Sequence, residues 1–170
     1  MSLSIAILTI SDTRTLAEDT SGEMLISCLE SDGHQLAERK IVKDDIYQVR
    51  FVVSGWIANE SVDVVITSGG TGFTGRDSTP EALEPLFDKT IEGFGELFRQ
   101  ISYEEIGTST IQSRAVGGLA NGTLIFAVPG STKACATAWN KILSNQLDAT
   151  NRPCNFAELV PRFREHVSFQ

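Results

Sequence analysis

"VDVVITSGGTGFTGRDSTPEAL", residues Val62–Leu83, is the stretch that decides the fold. Val62–Thr67 is β-branched and apolar apart from Asp63, the composition of a strand buried on both faces. Gly69, Gly70, Gly72 and Gly75 then place four glycines within seven residues. Ser78 or Thr79 can cap the helix that follows. Pro80 falls in its first turn, where a missing N–H costs nothing, and Ser78-x-x-Glu81 has the form of a capping box. A buried strand that feeds a glycine loop and then a capped helix is the opening of an α/β arrangement.

The flanking sequence repeats that alternation. Ser4–Ile10 is an apolar run after its first residue and ends in the turn-formers "SDT". From Thr20 to Asp32, Met24, Leu25, Cys28 and Leu29 recur at helical spacing, with Gly33 as a stop. Leu36–Val42 reads as a strand, and Ile46, Val49, Val53, Trp56 and Ile57 trace one face of a second helix. Phe94, Leu97, Phe98 and Ile101 mark another helical face. Thr123–Val128 is a last buried strand, and the helix after "PGSTKA" carries Cys135, Ala138, Trp139, Ile142 and Leu143 on one side. Trp56, Trp139 and the nine phenylalanines read as core. His34 and His166 stand in polar surroundings without partner spacing and are given no role. The expected fold is one three-layer α/β/α domain over residues 1–170, with a mostly parallel sheet. Residues 150–170, with Pro153 and Pro161, form an irregular tail packing on the body.

Composition narrows the function classes. The 170 residues, 41% hydrophobic and 21% charged, suit a single globular domain with a real core. No apolar run reaches the roughly 20 residues of a membrane span, and the first residues lack a basic leader region. Cys28, Cys135 and Cys154 are widely spaced, an odd set without C-x-x-C, which points to reduced thiols in the cytoplasm. A net charge of −8 argues against general nucleic-acid binding. An acidic protein that takes an anionic ligand must gather local N–H dipoles, a few cations or a divalent metal.

Ligands of open parallel sheets bind beyond the carboxyl ends of the strands. Four such ends carry small, polar or acidic residues: Ser11-Asp12-Thr13, Asp44-Asp45, Ser68-Gly69-Gly70-Thr71-Gly72 and Pro129-Gly130-Ser131. Gly70-x-Gly72-x-x-Gly75 satisfies the dinucleotide fingerprint, but the caps and Pro80 start the helix several residues too late for it. Gly70–Gly75 also has the glycines of a P-loop, yet Arg76 and Asp77 stand where Lys and a hydroxyl belong. The glycines still make a concave set of N–H groups suited to an anion. A carboxylate at Asp77 would repel phosphate directly but could hold a cation between the two. Arg14, Arg76 and Lys133 flank these loops and could neutralise phosphate.

These residues resemble the MoaB/Mog family of molybdenum cofactor biosynthesis proteins. The resemblance rests on "SDT", the acidic pair, "TSGGTG" with "RDSTPEAL", and "PGS". The segments "EGFGELFRQISYEEIGTSTIQSRA" and "PGSTKACATAW" point to the bacterial MoaB branch. It implies a molybdopterin-binding-like fold, assembled as homotrimers or hexamers in the cytoplasm. The implied ligand is molybdopterin, and the implied activity is transfer of AMP from Mg-ATP, or the matching transfer from GTP, onto its terminal phosphate. By motif position the two central aspartates of active members are Asp77 and Asp44, as catalytic residues and Mg²⁺ ligands. The glycine loop and Ser131 would hold phosphate, and Asp12 is an additional acid near the nucleotide. Lys43 stands where many members have proline, which leaves Asp45 as the alternative acid. A pterin- or nucleotide-binding paralogue without turnover, and an oligomeric scaffold, are the other roles these residues allow.

Overall fold

The structure, a computed structural model, describes residues 1–165. Its strands are β1 (Ser4–Ile10), β2 (Gln35–Val42), β3 (Val64–Ser68), β4 (Lys89–Thr90), β5 (Val116–Ala120) and β6 (Thr123–Val128). They form one sheet in the order β2-β1-β3-β6-β5-β4. The first four are mutually parallel, and β5 and β4 are added antiparallel. The helices are α1 (Thr20–Ser31), α2 (Ile46–Ala58), α3 (Thr79–Leu83), α4 (Glu92–Ile106), α5 (Thr132–Ala138) and α6 (Ser144–Gln146). A π-helical turn over Trp139–Leu143 joins the last two.

Alternation along the central strands divides the core into two layers. Ile5, Ile7, Val64, Ile66, Leu124 and Phe126 pack against Leu25, Leu29, Phe98 and Trp139 on one face. Ala6, Leu8, Val65 and Ile125 pack against Val49, Val53, Trp56 and Leu83 on the other. This is the three-layer, mostly parallel arrangement that the sequence pattern implies. The sheet is asymmetric, however. Strand β5 and the short β4 are invisible to periodicity: β4 is only two residues long, and in β5 Gly117 and Gly118 replace the side chains that would announce a strand. A Cβ on Gly118 would collide with the Phe87 ring, so the missing side chain is a packing requirement.

Three expectations are corrected. Phe51 and Phe73 are not core: they are 81% and 71% exposed. His34 is not in a polar setting but buried, its Nδ1 accepting the Leu3 N–H at 3.3 Å and its ring edge-on to Trp139. Ser78 does not close a capping box, since its side chain makes no cap hydrogen bond to α3. Ala157 is buried, and Phe156, Val160 and Phe163 pack against the first core layer. His166 lies outside the described residues. Among those described, no helix is long and apolar enough to cross a membrane.

Burial holds the His34 pKa below its usual 6.5, with Asp32 partly opposing. A folded-state pKa below the unfolded one means that the folded protein binds fewer protons in between. His34 therefore contributes stability above about pH 6.5 that is lost as pH falls through its depressed value. Urea unfolding of wild type and His34→Phe from pH 7.5 to 5 should show the gap between them narrowing on acidification. A pH-independent gap would remove His34 as the cause.

Candidate functional site

The site grows from a backbone constraint at the end of β3. Gly69 and Gly70 have φ of +107° and +66°, a region that side chains rarely enter. No Cβ fits at either position. At Gly69 it would strike the Ile10 carbonyl, and at Gly70 it would meet Thr79 Oγ1 and lie 2.7 Å from Asp44 Oδ2. The turn is fixed by hydrogen bonds to its neighbours. Gly69 N–H donates to Val128 O at 3.0 Å, Thr79 N–H donates to Gly70 O at 2.9 Å, and the Thr79 hydroxyl donates to Gly69 O at 2.8 Å.

Two aspartates flank this turn in contrasting surroundings. Asp44 is buried, and its Oδ1 accepts the Ser78 N–H at 3.2 Å and the Ser78 hydroxyl at 2.9 Å. Burial raises its pKa above the usual 3.8; the Ser78 hydrogen bonds oppose that shift, and the charges of Asp77 and Asp12 add to it. Asp77 Oδ2 accepts the Thr74 hydroxyl at 2.6 Å and the Thr74 N–H at 2.9 Å. Those bonds, with lesser help from the Gly72 N–H and Arg114, hold its pKa below the usual value. Asp77 Oδ2 lies 2.7 Å from where a Gly72 Cβ would stand, so Gly72 gives the carboxylate room beside the loop. Asp45 is occupied elsewhere. Its side chain caps α2, accepting the Tyr47 and Gln48 N–H groups at 3.0 and 2.9 Å. The structure therefore turns Asp44, and not Asp45, toward the glycine loop.

A cleft of about 380 Å³ opens on one side of the turn. Gly69, Gly70, Thr71, Gly72 and Asp77 form one wall, and Pro129, Gly130 and Ser131 another. The far wall is Phe98, Ser102, Glu105 and Ile106 of α4, continued by Ser109, Gln112 and Ser113. Ser11, Asp12, Thr13 and Asp44 do not line it. The Ser11 hydroxyl braces its own turn by accepting the Thr13 and Arg14 N–H groups at 3.3 and 3.1 Å. Asp12 forms a two-point pair with Arg76, at 2.9 and 2.7 Å, which brings its pKa down to about 2. Ser68 is fully buried at the end of β3 and is not exposed to the cleft. Ser131 caps α5, its hydroxyl accepting the Ala134 N–H at 3.1 Å.

The three cations expected to meet phosphate are all engaged within the chain. Arg14 donates to the Ser21 hydroxyl and the Gly130 carbonyl at 2.9 and 3.1 Å. Arg76 holds Asp12, and Lys133 lies 3.3 Å from Glu105. Lys133 is 71% exposed, so its loose pair costs little to break.

Sequence reading missed Arg114, which ties the loop down. Its guanidinium donates to Gly72 O at 2.8 Å, to Asp77 O at 3.2 Å and to the Glu81 carboxylate, and it stacks over Phe73. Its own N–H donates to Thr71 O at 3.2 Å. No motif announces this, because the arginine lies more than thirty residues beyond the loop it holds. Replacing Arg114 with alanine should lower stability by about 1–2 kcal/mol, two carbonyl hydrogen bonds at roughly 1 kcal/mol each. Amide exchange over residues 71–77 should rise by more than the global loss explains. Lysine should not restore protection, since it cannot span three acceptors in a fixed plane. Unchanged exchange in the loop would show that the clamp is idle.

Comparison with known proteins shows the family. Residues 6–149 match the family described as a probable molybdopterin binding domain. Molybdenum cofactor biosynthesis protein B of Escherichia coli (strain K12) is 59% identical over 152 residues, covering 89% of each chain. A crystal structure of a molybdenum cofactor biosynthesis protein B superposes with a TM-score of 0.84 at 47% identity, over 86% of this chain and 92% of that one. The tungsten cofactor synthesizing protein MoaB of Pyrococcus furiosus gives 0.76 at 38% identity, over 85% and 92%. On these matches the chain belongs to the molybdenum cofactor biosynthesis protein B family, within the wider MoaB/Mog group of molybdopterin-binding folds.

Proposed function

We propose that this protein binds molybdopterin in the cleft beside the glycine turn and transfers AMP from ATP onto its terminal phosphate. The observation that carries the reading is the pair Asp44 and Asp77, set against Gly70 and Gly72 of the glycine turn. In the transfer, an oxygen of the pterin phosphate attacks the α-phosphorus of ATP. The bond between that phosphorus and the bridging oxygen breaks, and pyrophosphate leaves. The incoming phosphate is already a nucleophile, so the protein's task is to position two polyanions and offset their repulsion.

Mg²⁺ suits the donor set. Among the described residues no group of three or more His, Cys, Asp or Glu side chains gathers into a metal site. Mg²⁺ needs no such cage, since it keeps waters and takes one or two carboxylates with substrate phosphates. Asp44, with Oδ1 committed to Ser78 and Oδ2 facing Gly70, and Asp77 would hold it. The ion would screen the phosphates and so remove the conflict between carboxylates and an anionic ligand. In the cleft, Ile106 offers apolar surface to a flat ring system, while Ser109 and Gln112 offer polar partners to its edge. Lys133 would leave Glu105 for the incoming phosphate. We assign the chain to a homo-oligomer, a trimer or hexamer, in keeping with the exposed Tyr103 and Ile106 of α4 and Ile111 just after it.

The test is turnover of molybdopterin with Mg²⁺ and ATP, with GTP in a parallel arm. Asp77→Asn should lower the rate at least a hundredfold, about 2.7 kcal/mol of transition-state stabilisation. Asparagine keeps an acceptor for Thr74, so stability should fall by less than about 1 kcal/mol. A variant that matches wild type would remove Asp77 from the chemistry. Binding without turnover in wild type would leave a pterin-binding role, and no binding at all a scaffold.

The two aspartates also set the pH profile. Asp77 is held below the usual range and Asp44 above it, so acidification neutralises Asp44 first. Activity should fall as pH drops through the raised Asp44 value. Higher Mg²⁺ should move that limb to lower pH, because metal and proton compete for one carboxylate. A limb that ignores Mg²⁺ would place the titrating group elsewhere.

A further inference from the structure

The Gly130 carbonyl takes two donors, and neither comes from the cleft. The Ser21 hydroxyl donates to it at 2.7 Å and Arg14 Nη1 at 3.1 Å. The same Arg14 nitrogen donates to the Ser21 oxygen at 2.9 Å, so guanidinium, hydroxyl and carbonyl close a triangle. Ser21 is fully buried in the first turn of α1, and neither Arg14 nor Ser21 lines the cleft. Just beyond, the Thr132 and Thr20 hydroxyls are hydrogen-bonded at 2.9 Å, which ties the same loop to α1 a second time.

These contacts fix the direction of a peptide as well as the place of a loop. A trans peptide is planar and holds its C=O and N–H on opposite sides. The only cis peptide among the described residues is Arg152–Pro153, so the Gly130–Ser131 unit is trans. With the Gly130 oxygen turned toward α1, the Ser131 N–H is turned away from it. That N–H donates to no group among the described residues, and Gly130 and Ser131 both line the cleft. The glycine turn repeats the arrangement. Thr79 donates its hydroxyl to Gly69 O and its N–H to Gly70 O, and the Gly70 and Thr71 N–H groups are left without an acceptor among the described residues.

We infer that Arg14 and Ser21 are positioning residues for a phosphate in the cleft: they hold the Gly130–Ser131 peptide so that the Ser131 N–H donates to that phosphate, and they pass the charge of Arg14 on to the donor. The inference rests on the proposed reading in taking the cleft to receive a phosphate, but not on adenylyl transfer. Hydrogen bonds from an ionised donor are stronger than neutral ones, and bonds in a chain polarise one another. The guanidinium acts on the Gly130 oxygen directly and through the Ser21 hydroxyl, which makes the N–H of the same peptide a better donor. An arginine that does not line the cleft thereby acts within it.

Amide NMR on the isotopically labelled full chain, titrated with inorganic pyrophosphate, tests the inference. The Ser131 amide proton of wild type should move downfield and saturate with the binding curve. Arg14→Gln keeps a donor without the charge and should weaken pyrophosphate binding at least tenfold, with a smaller Ser131 shift. Ser21→Ala should do the same. Arg14→Lys should recover most of the affinity, because both Arg14 bonds leave one nitrogen and an ammonium carries three donors. A role in packing alone would leave the glutamine and lysine variants alike. Circular dichroism checks the fold, and if Ser21→Ala does not fold, the two Arg14 variants decide. Wild type that takes up no pyrophosphate, an unmoved Ser131 amide at saturation, or equal affinity in Arg14→Gln and Arg14→Lys overturns the inference and leaves adenylyl transfer to its own turnover assay. A saturating Ser131 shift in a wild type without turnover keeps the positioning role and removes the transfer.

Discussion

The left-handed turn at Gly69–Gly70 is the constraint on which the rest of the molecule is arranged. It forms where a fully buried strand ends, so its N–H and C=O groups must find partners within the protein or a ligand. The partners come from every loop on that edge of the sheet. Val128 at the end of β6 accepts from Gly69, and Thr79 at the start of α3 bonds to both glycine carbonyls. Ile10 at the end of β1 and Asp44 after β2 occupy the space that side chains would need. Gly130 approaches so closely that its own Cβ would stand 3.1 Å from the Gly69 Cα. Four strand ends thus converge because two residues lack a side chain. The sheet order follows the same logic, since β1 and β6 flank β3 and their end loops are the nearest material.

That convergence bears on how a chain of net charge −8 would accommodate the anionic ligand proposed for it. Its arginines near the loops are used as braces: Arg14 fixes the Gly130 loop, Arg76 neutralises Asp12, and Arg114 clamps Gly72 and Asp77. Positive charge therefore enters the site indirectly, through what it holds in place. On the proposed reading, a phosphate would be drawn by backbone N–H groups, by Lys133 once released, and by a metal on the aspartates. Such a site would be weak toward bare anions and depend on the cation for strength, unlike a P-loop with its own lysine.

Much of this fold is legible in the sequence, and what is not legible has physical causes. The buried strands β1, β3 and β6 stand out because a short continuous apolar run between turn-formers suits a strand covered on both faces. The glycine loop stands out because so many glycines follow one of those runs. Resemblance places Asp44 and Asp77 at the ligand edge, and the structure directs both toward the turn. The acidic pair cannot be resolved by spacing alone. It separates in three dimensions because Asp45 is drawn to the orphan N–H groups of α2, leaving Asp44 to face inward. Ser78 has the position of a cap, yet its hydroxyl serves Asp44. Glu81, its partner in the capping-box pattern, pairs with Arg114. Local motifs compete with long-range partners, and here the long-range partners prevail. Strand β5 escapes notice because its glycines carry no pattern. Phe51 and Phe73 look like core because a single chain gives no sign of which apolar residues face outward.

The two aspartates complete the argument. A pair of equivalent carboxylates beside a phosphate loop would repel each other and the ligand alike, and one would take up a proton. The fold avoids equivalence. Asp77 sits on a loop whose Thr74 hydroxyl and N–H lower its pKa, whereas burial raises that of Asp44 against its Ser78 hydrogen bonds and makes it the easier to neutralise. On the proposed reading, a divalent cation would compete with a proton for Asp44, so metal binding and ionisation of that carboxylate would be coupled. The room for the carboxylate against the turn comes from Gly70, where a Cβ would stand 2.7 Å from Asp44 Oδ2.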